Sequence, residues 1–130
     1  MNLSFYPERI MQITLPELPA GQLNAGLVMQ DGKPSHWLIL LPEVPTSRLN
    51  FNDATAWAES IGGELPTRQE QSLLFANLKD QFEAALYWSG EEYKSDSGFA
   101  WYQDFSFGHK YSTHKDDELR SRAVRRLVIE

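Results

Sequence analysis

The residues of this chain that could do chemistry are three histidines (His36, His109 and His114), a carboxylate pair at Glu91-Glu92, a lone Asp104 and the acidic run Asp116-Asp117-Glu118. None of them is spaced as a catalytic or metal-binding set. His109 and His114 are five residues apart, which in extended chain puts them on opposite faces unless a bulge intervenes. Glu91 and Glu92 are adjacent, so their side chains point apart and cannot share one acid–base task. The run at 116–118 reads as a solvated turn. There is no GxSxG elbow, no glycine-rich phosphate loop and no HExxH pair. The chain has no cysteine, which removes disulfides, thiolate zinc sites and thiol catalysis together. The expectation is a protein that is not an enzyme and uses no cofactor and no metal.

Binding is the chemistry that remains. The segment Gly90–Gly98, GEEYKSDSG, has the tyrosine, serine and glycine content of a recognition loop held by rigid strands. Tyrosine gives a large contact area with few rotatable bonds to order. Glu91, Glu92, Tyr93, Lys94 and Asp96 from this loop, with Tyr102, Phe107, His109 and Tyr111 from the strands that follow, form the candidate binding set. A protein or glycan surface is the expected partner, and self-association stays open.

The arginines near the C-terminus need a separate account. Residues 51–100 hold nine acids and three bases, whereas 101–130 hold five acids and six bases, among them Arg120, Arg122, Arg125 and Arg126. With a net charge of −6 the chain lacks the basic face that nucleic acid requires. The arginines are read as strand residues that pair with acidic helices, a local anion site being the alternative. Alternation across an Arg120–Val128 strand puts Arg125 on the inner side with Ala123 and Leu127, and leaves Arg122 and Arg126 outside.

The elements that must position these groups are legible from turns and periods. Ala25–Met29 and His36–Leu41 flank Asp31-Gly32, a dipeptide that predicts a two-residue hairpin. The prolines of Leu15–Pro19 exclude a helix or a central strand there. Asn50 caps a predicted helix with Phe51, Ala54, Trp57, Ala58 and Ile61 on one face and Gly62-Gly63 as its stop. Thr67 and Glu70 form a capping box for a second, ending near Asp80, whose buried face is Leu74, Phe75, Leu78 and Phe82. Both helices read as plain core walls. From Leu86 the period becomes two: Phe99, Trp101, Gln103, Phe105 and Phe107 predict a central strand with a buried aromatic face, followed by a turn at Gly108 and a strand over Lys110–His114. The whole is one α+β domain, with residues 1–45 as an N-terminal β segment and hairpin and 46–130 as the core. No stretch is apolar enough to span a membrane, and Met1–Ile13 lacks the pattern of a secretory leader.

Four segments, GGELPTRQE, YWSGEEY, AWYQDFSFG and LRSRAVRRL, follow one another in this order between Leu49 and Leu127. Together they resemble the C-type-lectin-like domains of bacterial and phage proteins, with Trp88, Trp101, Gly108, Val124 and Arg125 at matching scaffold positions. The resemblance implies a C-type-lectin-like fold with two helices packed on antiparallel sheets. It implies a phage or prophage setting, hence bacterial cytoplasm or virion, and recognition through the 90s loop as in phage tropism determinants. The EPN or QPD loop of calcium-dependent sugar binding is missing, and Trp101–Asp104 is only a loose echo of its WND strand. The related formylglycine-generating enzymes need cysteines, and the related sulfoxide synthases need a histidine triad that this chain lacks. The resemblance therefore implies calcium-independent binding, to a protein or glycan surface or, as the alternative, to a host defence complex contacted through the acidic stretch 51–100.

Overall fold

Asp31 and Gly32 both take positive φ, 52° and 78°, the geometry that lets two antiparallel strands meet through a two-residue turn without losing their twist. The computed structural model describes residues 14–129; the reading of Met1–Ile13 lies outside them. The hairpin joins β1 (Leu23–Gln30) to β2 (Lys33–Leu40). Near its start Asn24 Oδ1 accepts from the Gly26 amide at 2.8 Å, and the register shifts there. The far side of β2 pairs antiparallel with β6 (Val124–Val128), which makes one three-stranded sheet, β1-β2-β6.

The second sheet, β3-β4-β5, is built from β3 (Leu86–Glu92), β4 (Phe99–Asp104) and β5 (Lys110–His114). Between the sheets in sequence come α1 (Phe51–Ser60) and α2 (Arg68–Leu78), the latter closed by a 3-10 turn over Lys79–Gln81. Asn50 accepts from the Asp53 amide, and Thr67 with Glu70 completes a reciprocal capping box. Gly62, at φ 83°, turns the chain out of α1. Over the described residues the protein is thus α+β, with two helices and two small antiparallel sheets.

Two apolar clusters make up the core. One packs α1 (Phe51, Ala54 and Ala58) on Trp88 and Ala100, with Leu41, Leu119 and Ala123 around them. Phe51 meets Trp88 edge-on at 5.4 Å, and the indole N–H donates to the Leu49 carbonyl at 2.8 Å. The other joins Ala25, Val28, Leu38, Leu40 and Val124 of the first sheet to Leu74 of α2 and to Tyr87 and Phe105. Helix α2 is therefore a shared wall between the sheets, and it uses polar side chains for the purpose. Gln71, fully buried, donates to the Tyr87 and Trp88 carbonyls, and Asn77 donates to the Ala25 carbonyl at 2.7 Å.

Three expectations need correction. Strand β6 starts at Val124, because residues 121–123 leave the sheet after single bridges at Leu119 and Arg120. Alternation counted from Arg120 therefore fails: Arg122 is the buried arginine, at 7% exposure, while Arg125 is half-buried and donates to Gln22 Oε1 at 2.7 Å. In β4 the aromatic face is only partly core. Phe105 is buried, but Trp101 is half-buried under the Arg68 guanidinium and Phe107 lies out in solvent, because the strand ends at Asp104 and its alternation stops before the turn that carries Phe107, while Ala100 is buried on the strand's other face. Finally, α2 is no plain core wall, since two of its three buried residues are Glu70 and Gln71.

Candidate functional site

The register of the second sheet lines up Trp88, Tyr102 and Tyr111 across three strands on one face. Burial falls along that row, from Trp88 inside, through half-buried Tyr102, to Tyr111 at 53% exposure. Among the described residues strand β5 is the sheet edge, and no described strand covers its outer side. Gly108, at φ 85°, turns the chain before β5, and a Cβ there would meet the Phe75 ring at 3.0 Å. The turn brings the Phe107 and His109 rings into line with Tyr111 of β5. Ring centroids are 6.2 Å apart for Phe107–His109, for His109–Tyr111 and for Tyr102–Tyr111, so four rings form one continuous row. Phe107 is 76% exposed, although a phenyl ring has no polar handle to offset contact with water.

Acidic groups flank the row. Asp104 Oδ1 accepts from the Ser106 amide at 2.7 Å and holds the turn, and Thr113 donates to Asp117. Burial of the Tyr102 phenol, reinforced by Tyr111, Asp104 and Asp117, pushes its pKa above the ordinary tyrosine value. The surface is aromatic with a negative fringe.

The candidate set therefore divides. Tyr102, Phe107, His109 and Tyr111 come together. Glu91 and Tyr93 belong to the opposite face, where Glu91 accepts from both the amide and the guanidinium of Arg68, the former at 2.7 Å. Tyr93 stands 5.3 Å from Trp101, and the Arg68 guanidinium lies 4.4 Å above that indole. Glu92 is tied to Lys115. Lys94 and Asp96 are exposed in a turn closed on itself, with Asp96 N–H on the Tyr93 carbonyl and Phe99 N–H on the Asp96 carbonyl. Phe99 and His114 extend the second patch, their rings 4.3 Å apart. Sequence reasoning missed Trp101 and Phe99 as surface groups because an aromatic at every second position reads as core.

A charged cluster was also missed. Glu70, 1% exposed, accepts four hydrogen bonds: from the Thr67 amide (2.9 Å), His36 Nε2 (2.7 Å), and Arg126 Nε (2.7 Å) and Nη2 (2.8 Å). Arg126 also pairs with Glu64, and burial lowers its pKa from the usual value. One carboxylate thus caps α2 and fastens it to β2 and β6. Thr67-x-x-Glu70 signalled the cap; partners 34 and 56 residues away carry no local signal. Among the described residues no three histidines or carboxylates converge as metal ligands.

No protein-family model matches this sequence, and no curated protein matches it. What the surface can bind has to be read from its own side chains.

Proposed function

We propose that this chain is a non-enzymatic binding module with a C-type-lectin-like fold, of phage or prophage type, which recognises a protein or glycan surface through the row Tyr102, Phe107, His109 and Tyr111. The observation that carries this reading is the exposure of Phe107 and Tyr111, joined through the His109 ring, at the turn and strand that form the edge of the second sheet among the described residues. Contiguous apolar surface left in water is unfavourable by about 25 cal/mol per Å², and a partner that covers it recovers that free energy. Tyrosine and phenylalanine held on strands, with hydroxyl and carboxylate groups at the margin, suit both a protein contact and the stacking of a sugar ring. The half-exposed patch of Tyr93, Phe99, Trp101 and His114 on the opposite face would widen the contact for a partner that wraps the edge.

The alternative, inhibition of a host complex through the acidic stretch 51–100, has less support. Glu64, Glu70, Glu91 and Glu92 of that stretch are already engaged in internal ion pairs, so its charge is not one free surface. Capture from host-cell lysate and from a glycan array tests the proposal, with wild type beside Phe107→Ser/Tyr111→Ser. The double variant should melt like the wild type and lose at least tenfold in affinity for what the wild type captures. Undiminished capture would reject the aromatic row. Mass spectrometry of purified particles separates a virion component from an intracellular inhibitor.

A further inference from the structure

A cleft of about 490 Å³ opens between the loop at 44–48, Gln81 and Glu83 at and after the 3-10 turn, and residues 120–122. Its lining includes three arginines, Arg48, Arg120 and Arg122, and one carboxylate, Glu83, a local charge of +2 in a chain whose net charge is −6. Among the described residues no carboxylate lies within ion-pair distance of any of the three arginines. The backbone forces two of them together. Leu49 and Leu119 exchange amide–carbonyl bonds of 2.8 and 3.0 Å in an antiparallel bridge, and one step along that register sets Arg48 beside Arg120. Arg120 is fixed from its other side by bonds to Leu86 and Trp88 of β3. Like charges held across a bridge repel, and an anion between them removes the repulsion.

The floor of the cleft has the same character. Arg122, 7% exposed, donates to the Gln81 and Leu41 carbonyls, which are neutral acceptors, while its Nε finds no partner. Burial lowers its pKa, opposed by Tyr87 and by Glu43, which is not part of the lining. Ser121, 2% exposed, likewise has an Oγ without a partner among the described residues. Buried polar atoms without partners are rare in folded proteins and mark places where a ligand or water completes the bonding. The Tyr87 hydroxyl accepts from the Glu83 amide at 2.9 Å, which leaves its proton for donation.

We infer that this cleft is a binding site for a phosphate monoester on a small polar organic group. A phosphate monoester carries a charge near −2 with three acceptor oxygens, which matches the local +2; a carboxylate would neutralise half of it. Forked guanidinium donors suit those oxygens. The volume exceeds that of a bare phosphate, and the exposed Thr46 and Ser47 offer hydroxyls to a polar remainder such as a sugar. The cleft shares no residue with the aromatic row, so the two sites stand or fall separately.

Thermal melting and calorimetry with glucose 6-phosphate, inorganic phosphate, glucose and acetate test the inference, at ionic strength matched with chloride. Glucose 6-phosphate should raise the Tm in a saturable way, and more strongly than inorganic phosphate at equal concentration. Glucose and acetate should leave the Tm where it was. Arg48→Ala and Arg120→Ala alter exposed side chains, so each should melt in chloride like the wild type and bind the phosphate ester at least tenfold more weakly. No rise beyond the chloride control would overturn the site. So would an equal rise in the Arg48→Ala/Arg120→Ala double variant, or an acetate response as large as that to the phosphate ester.

Discussion

Glu70 shows how much one side chain can be asked to do. Its carboxylate is a helix cap, a partner for Arg126 and an acceptor for His36, with no exposed oxygen to spare. Deleting it would remove the buried partner of Arg126, leaving that guanidinium to Glu64, and break the capping box together. Glu70→Ala is expected to destabilise the fold by about 3–5 kcal/mol, the usual cost of breaking a buried pair from one side. Glu70→Gln should cost clearly less, because an amide oxygen can still cap α2. Equal losses in chemical denaturation of the two variants would show that the charge, and not the cap, is what matters. Tyr102 gives a second test at this scale. Its pKa is raised in the folded state, first by burial and then by Tyr111, Asp104 and Asp117. The neutral phenol therefore contributes stability that is fully present below about pH 10, the unfolded value, and is lost as pH rises through the higher folded value. The Tm of Tyr102→Phe should fall less than that of the wild type between about pH 9.5 and 11. Parallel curves would contradict the assignment.

At the scale of elements, the contrast that matters lies along the aromatic side of β4 and the turn that follows it. Phe105 stacks on Phe82 at 4.1 Å and meets Tyr87 and Phe75 edge-on inside the second core cluster. Trp101 instead lies half-buried under Arg68. Phe105→Ala should therefore cost about 3–5 kcal/mol, and Trp101→Ala only about 1–2 kcal/mol, for a partly buried ring and one cation–π contact. A larger loss for Trp101 in urea denaturation would return that ring to the core. The difference also shows what could be read in advance. The hairpin at Asp31-Gly32, the Asn50 and Thr67 caps, and the β5 bounds Lys110–His114 are local events, written in turn chemistry and capping residues. Which face of β4 is covered, and where β6 begins, depend on segments far apart in sequence. Period-two counting from Arg120 fails because residues 121–123 are not strand. The candidate set mixed two faces for the same reason, since the spacing of Glu91, Tyr93, Tyr102 and Tyr111 does not disclose the register shift between Trp88 and Glu92.

Over the whole molecule, the described residues place an aromatic edge and a basic cleft on a scaffold held by polar ties as much as by apolar contact. No described helix is long and apolar enough to cross a membrane. The polar ties run through α2: Glu70 and Asn77 reach the first sheet, Gln71 the second. A rigid scaffold of this kind keeps the rings of an edge strand in place before a partner arrives, which lowers the ordering cost of binding. The central claim is that the edge of the second sheet is the contact surface. Hydrogen exchange measured on the chain with and without its captured partner tests it most directly. The account predicts slowed exchange concentrated in residues 99–114, with α1 and the 44–48 loop unchanged; protection confined to α1 or to residues 44–48 and 120–122, with 99–114 exchanging as in the free protein, would contradict it.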